Sequence, residues 1–141
     1  MKRAHPTLRL WIARLLIGAV LGMNIHSAVA FFVDPKRYAP AYELTGISGE
    51  SAIQGFGVLF LMWNVPYLVA FLHPQRYRVS LMEAIAMQSI GLGGEYLILR
   101  GLPPGHPALY DSISRFIFFD VAGLAALFIA AWATFQRYAR G

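Results

Sequence analysis

Four apolar runs, each close to the length of a bilayer crossing if helical, alternate with short polar breaks along the chain. They cover approximately residues 12–33, 51–72, 80–99 and 116–135. The first contains Gly18 and Gly22, a GxxxG pair that permits close helix contact, is interrupted by Asn24 and His26, and stops at Asp34-Pro35. A polar loop follows over 34–50, with Tyr38 and Tyr42 suited to a membrane interface. Ser48 is in place to cap the next helix, with Glu50 in its first turn. The second run holds Gln54, Asn64 and Pro66; the proline predicts a kink, and His73-Pro74 a stop. The short connection 73–79 makes the second and third helices an antiparallel hairpin. Ser80 and Glu83 match a capping box.

The third run differs from the others. It carries Glu83, Gln88 and Glu95, with Gly91, Gly93 and Gly94 between the last two. Acids in a membrane-length segment face protein or water rather than lipid, and glycines let neighbouring helices come close, so this run reads as the interior helix. Residues 100–105 break the chain, and Pro107 suits a first helical position before the fourth run. There Ala122, Ala126 and Ala130 repeat at four-residue spacing, a second small-residue face. The fold class expected is all-α, an integral membrane four-helix bundle forming a single domain.

Composition sharpens this. Hydrophobic residues make up 57% of the 141 positions and charged residues 13%, against about 25% charged in an ordinary soluble domain. A soluble globular protein is thereby excluded. The chain has no cysteine, which removes disulfides, thiolate metal sites and cysteine nucleophiles. The net charge of +5 would suggest nucleic acid in a soluble protein, but here the basic residues cluster at the ends of the apolar runs. With four spans, Lys2, Arg3, Arg9, Arg14, Arg76, Arg78, Arg137 and Arg140 share one side with no acid. On the other side, Lys36, Arg37, Arg100 and Arg115 are balanced by Asp34, Glu43, Glu50 and Asp111. The positive-inside rule then puts both termini in the cytoplasm, of a bacterial inner membrane, with Trp11, Tyr77, Trp132 and Tyr138 as an inner aromatic belt. The basic start, short apolar core and Ala28-Val29-Ala30 also fit a signal peptide cleaved after Ala30, against which Phe31 and Phe32 continue the apolar run.

Candidate chemistry comes from depth. Counting inward from the ends of neighbouring runs puts Asn64 level with Gln88, an amide pair able to hydrogen-bond across the hairpin. The same count puts Glu95 level with Asp120, roughly 6 Å inside the outer boundary. His26 and Gln54 fall in that outer half, and Arg100 and Arg115 at its rim. Two readings follow. In one, these residues form an outward-facing polar pocket for a quinone or lipid head group, in which Glu95 and Asp120 hold or relay a proton beside His26. In the other, favoured one, the acids pair with Arg100, Arg115 or His26 and lock helices together. Asn64 and Gln88 read as interhelical glue, and Glu83 as a cap. His5, His26, His73 and His106 show no metal-ligand spacing, and no Ser/His/Asp arrangement is recognisable. Gly91 to Gly94 lies inside an apolar run without a preceding strand and is no nucleotide loop.

In its four spans, its longer first outer loop opening with Asp34-Pro35, and its tight cytoplasmic turn with His73-Pro74, the chain resembles the DoxX-like group of small four-helix bacterial membrane proteins. The resemblance spans the whole chain at the level of layout. It implies an accessory membrane subunit with a link to redox or quinone chemistry, and carries over no site residues. The function expected is therefore a non-enzymatic accessory or interaction subunit with a lipid or quinone pocket near the outer leaflet. Its partners would be the lipid bilayer and a membrane protein or a second copy, with no resident cofactor, metal or nucleic acid. The alternatives are a membrane-embedded enzyme acting on a lipid or isoprenoid through Glu95 and Asp120, and a proton-coupled transporter. The transporter ranks below because the chain shows one interruption, Pro66, and no repeat.

Overall fold

The computed structural model describes residues 6–135. Lys2, Arg3, His5, Arg137, Tyr138 and Arg140 lie outside these, and with them part of the expected charge asymmetry and inner belt. The described chain is helical, with no strand. Helix α1 (Pro6–Val33) is followed by a short α2 (Pro35–Tyr38) and a 3-10 turn (Ala39–Tyr42), then α3 (Gly46–Trp63), α4 (Val65–Leu72), α5 (Arg78–Gly101) and α6 (Pro107–Phe135).

Each boundary has a local cause. Asp34 leaves helical geometry at φ −130° and ψ 61°, and Pro35 restarts the chain as α2. Pro66 cannot donate its backbone nitrogen, and the second apolar stretch divides at Asn64 into α3 and α4. Pro107 opens α6 as expected. The predicted caps are not made. Thr45 and Tyr77 occupy the N-cap positions of α3 and α5, neither with a side-chain cap bond, so Ser48, Ser80 and Glu83 lie inside their helices.

Among the described residues three stretches are long and apolar enough to cross a membrane: Leu8–Val33, Gly46–Leu72 (α3 and α4 together) and Pro107–Phe135. The expected third span is helical over its whole length but is not among them, because Glu83, Gln88, Ser89 and Glu95 dilute its apolarity. Many large apolar side chains point outward from these helices, among them Leu15, Leu59, Met62 and Phe118, an exposure that marks a chain meant for an apolar surrounding.

The helices pack in a ring-like order. Helix α1 lies against α3, α4 and α6, α6 against α1 and α5, and α5 against α6 and α4, while α3 has little contact with α5. Two buried clusters result. Near the end where α1 starts and α6 finishes, Ala13 and Ile17 meet Tyr67, Leu81, Leu127 and Ala130, drawing on α1, α4, α5 and α6. At the opposite end Phe31, Ala39 and Ile53 pack with Tyr38, Tyr42 and Phe116. Phe31 is its hub, with ring centroids 5.0 to 6.2 Å from those of Tyr38, Tyr42, Phe60 and Phe116. Helix α1 supplies both clusters, so cleavage after Ala30 would remove Ala13, Ile17 and Ala28, all fully buried.

Close approach of α1 and α3 depends on Gly57. A Cβ there would lie 2.7 Å from the Ala28 carbonyl oxygen and 3.0 Å from the Phe32 nitrogen, both backbone atoms that cannot turn aside. At the other end of α1, Gly18 faces the Phe71 ring, which a Cβ would meet at 2.8 Å. Arg14 closes that end: its Nε donates to the Phe71 carbonyl at 3.1 Å, and its guanidinium lies over the Trp11 and Phe71 rings. A cation at the C-terminus of α4 also suits the helix dipole.

Candidate functional site: a polar-lined cavity between the helices

Because α3 stays with α1 while α4 turns toward α5, the helices part midway along the fold. A cavity of about 860 Å³ opens there, between the two buried clusters. Its small-residue wall comes from Gly18 and Gly22 of α1 and Ala122, Gly123 and Ala126 of α6. The two faces read as helix-packing stripes therefore divide their roles. Ala130 packs in the core, Gly18 and Ala126 both pack and line the cavity, and Gly22 and Ala122 leave room. Aromatic walls come from Phe60, Trp63, Phe116 and Phe119.

Trp63, Gln88 and Asp120 on the lining are joined, through the buried Tyr67 behind it, into a hydrogen-bonded chain across four helices, α3 to α6. Trp63 Nε1 donates to the Tyr67 hydroxyl at 3.4 Å; that hydroxyl donates to Gln88 Oε1 at 2.5 Å; and Gln88 Nε2 donates to Asp120 Oδ1 at 2.9 Å. Gln88 thus uses both ends of its amide to join α4 to α6 through α5. Two glycines give this chain its space. A Cβ on Gly123 would lie 2.9 Å from Gln88 Nε2, and one on Gly91 would lie 3.0 Å from Asp120 Oδ2.

The expected pairings are redistributed. Asn64 and Gln88 both line the cavity but do not bond each other: Asn64 Nδ2 donates to the Phe60 carbonyl at 2.6 Å, and Asn64 Oδ1 is buried with no partner. Asn64 caps the break in its own helix, and the Tyr67 hydroxyl, reaching out from α4, takes the place next to Gln88. Glu95 and Asp120 both line the cavity and lie near enough for their charges to interact, yet Asp120 bonds at the level of Gln88, lower on α5 than Glu95. The depth count misplaced Asp120 because α6 begins at Pro107, well before its apolar run. Measured from the true helix ends, Gln88 is 13 residues inside Gly101 and Asp120 is 13 residues inside Pro107.

The expected ion pairs of the acids are absent among the described residues. Glu95 Oε2 is buried without a partner. Arg100 lies over the Tyr96 ring, 5.9 Å from its centroid. Arg115 lines a shallow surface hollow with Asp111 and Ser114. His26 lines the cavity from α1 and is exposed, with no bond to either acid. Gln54 is outside the cavity, its Nε2 donating to the Phe32 carbonyl at 3.2 Å and tying α3 to α1. A salt bridge joins His106 Nδ1 to Glu43 Oε2 at 2.5 Å, clasping the two loops that flank the Phe31 cluster. Beside that cluster, burial pushes the Tyr42 phenol up to about 12 from its ordinary 10, reinforced by the Glu95 charge and opposed by the neighbouring Ser112 side chain and Arg115.

Trp63, on the cavity wall, and Tyr67, behind it in the hydrogen-bonded chain, are the site residues that sequence reasoning missed. Both sit in an apolar run where an aromatic reads as filler, though a tyrosine three residues past a helix-breaking Asn64 is a usable signal. No group of three or more histidines and carboxylates is placed to hold a metal ion among the described residues. No family model, curated protein or solved structure matches the chain.

Proposed function

We propose that this chain is a four-span membrane protein with both termini in the cytoplasm, of the DoxX-like kind in layout. In this reading it is a non-enzymatic accessory subunit that holds one lipid-like or quinone-like molecule between its helices. The cavity carries the proposal. It is large, walled mainly by apolar and small side chains, and lined midway along the helices by polar groups, which is the usual make-up of a small-molecule site.

Helix α5 supplies the fourth span by turning its polarity inward. Val79, Met82, Ile90 and Leu97 are exposed, Ile90 at 69% and Leu97 at 71%, whereas Leu81, Ala84 and Gln88 are buried. The outward Ile90, Leu97 and Ile98 suit lipid and the inward Gln88 and Glu95 suit an interior-lining helix, while of the outward polar residues Glu83 lies at the starting end and Ser89 donates to the Ile85 carbonyl. The arginines of the 73–79 turn support the cytoplasmic assignment of that turn. An accessory role fits better than catalysis because Trp63, Tyr67, Gln88 and Asp120 are engaged with one another across the helices. The enzyme reading draws on one observation, the unpartnered oxygen of Glu95 near a second carboxylate.

Native mass spectrometry of the gently purified protein tests the proposal. A stoichiometric lipid or quinone adduct is the expected result. A protein partner without a small molecule would leave the subunit role and remove the pocket; neither would overturn both. Since the chain has no cysteine, Lys36→Cys and Gln75→Cys report topology cleanly, with impermeant labelling expected at position 36 only from outside the cell.

A further inference from the structure

We infer that the cavity takes an apolar molecule carrying a protonated amine. The inference rests on the pocket reading above and narrows its ligand. Three observations converge on it.

First, two buried oxygens of lining residues, one an amide carbonyl and one of a carboxyl group, have no partner. Asn64 is 4% exposed, its Oδ1 has no partner, and its Nδ2 donates to the Phe60 carbonyl. Glu95 Oε2 is likewise buried and unpartnered. The donors nearby are largely engaged: Trp63 Nε1 with Tyr67, the Tyr67 hydroxyl with Gln88, and one Gln88 amide hydrogen with Asp120. The remaining donors, Asn24, His26 and Ser27, all belong to α1, which has little direct packing on α5. Buried acceptors without partners are costly, so a ligand is selected by the hydrogens it brings.

Second, the lining includes two carboxyl side chains, Glu95 and Asp120, and no lysine or arginine. A carboxyl that ionises inside a membrane needs a compensating cation. Third, the walls nearby are aromatic, with Trp63, Phe60, Phe116 and Phe119 on the lining. Aromatic faces attract an ammonium group and pack equally well against an apolar body.

These features narrow the lipid-like or quinone-like occupant to a lipid-like amine. A quinone offers acceptors and would set oxygen against the oxygens of Asn64 and Glu95. An ethanolamine phospholipid brings a phosphate close behind its amine, into a wall with no basic side chain other than the exposed His26. A free amine on a compact apolar body satisfies the acceptors and the charge together.

The test uses the full chain in mild detergent, titrated by calorimetry with 1-adamantylammonium and with 2-adamantanone, a body of the same size whose only polar atom is an acceptor. The ammonium compound is expected to bind tighter by about ten- to hundredfold, the range for hydrogen bonds to charged groups. Glu95→Gln should remove most of that difference while leaving the ketone unchanged. Gly22→Leu should abolish binding of both, since a Cβ at Gly22 meets nothing within 4 Å and the larger side chain enters the cavity. Ketone binding equal to or tighter than that of the ammonium compound would overturn the amine assignment and keep the pocket. Binding of neither would overturn both. Displacement of the probe by lysophosphatidylethanolamine at matching concentration would overturn the free-amine assignment in favour of a lipid head group. The wild-type comparison decides the matter even where a variant fails to fold.

Discussion

Gln88 is the most informative single residue to change. Replacement by Met keeps an unbranched side chain of similar length and removes both the acceptor of the Tyr67 hydroxyl and the donor to Asp120. Interhelical hydrogen bonds in membranes contribute about 0.6 kcal/mol on average and up to about 1.7. Two such bonds predict a loss of about 1–3 kcal/mol for Gln88→Met. Tyr67→Phe removes one of the two, together with the weak acceptor for Trp63 at 3.4 Å. In the double variant the Tyr67–Gln88 bond is lost only once, so the cycle should return a coupling of about 0.6–1.7 kcal/mol. The assay is equilibrium unfolding in mixed micelles with increasing denaturing detergent, followed by the tryptophan fluorescence of the chain. A coupling of zero, with Gln88→Met neutral, would refute the idea that this side chain fastens α4 to α6 through α5.

Three further outcomes follow from the geometry. Gly57→Ala is expected to destabilise by about 1–3 kcal/mol, the range for overpacking, whereas Gly55→Ala, where a Cβ meets nothing within 4 Å, should be neutral or stabilising; equal effects in thermal denaturation would count against the α1–α3 contact. Pro66→Ala restores a backbone donor in the broken second stretch and should make it one continuous helix, with weaker binding of 1-adamantylammonium; unchanged binding would separate the break from the cavity. Tyr42 should ionise near pH 12, later than an ordinary phenol. Its folded pKa is raised, so the stability it carries is complete below about pH 10 and lost as pH rises through about 12. Difference absorbance of wild type against Tyr42→Phe during alkaline titration measures this, and a step near pH 10 would contradict it.

Much of the architecture was legible because apolar runs, prolines and the Asp34-Pro35 and His73-Pro74 stops are local signals. Pro66 announced the division at Asn64. The cavity residues were legible in part: Glu95, Asp120, His26, Asn64 and Gln88 all line it. Their partners were not, because depth counting treats helices as rods that begin where apolarity begins. Helix α6 starts nine residues earlier than its expected span, at Pro107 rather than 116, and that shift moved Asp120 from Glu95 to Gln88. Gly57 escaped notice because a close approach is a property of two helices together, and nothing within 46–63 names Ala28 as the neighbour. The 860 Å³ space itself depends on where α3 and α4 diverge, which no single run encodes.

The inward polarity of α5 bears on how the chain is made. A helix released alone into lipid is retained by its own apolarity, and a carboxylate within it opposes retention, by roughly 2.5–3.5 kcal/mol at the centre and less toward the ends. In the four-span arrangement proposed above, α1 and the α3–α4 pair can settle as they emerge from the ribosome, whereas α5 carries Glu95 and Gln88 and has no α6 yet to receive them. Its residence in the bilayer waits on the synthesis of Pro107–Phe135, whose Asp120 and Gly123 complete its polar face. A chain stopped before Pro107 would expose that face to lipid, and α5 is then the segment at which membrane quality control would recognise an unfinished protein.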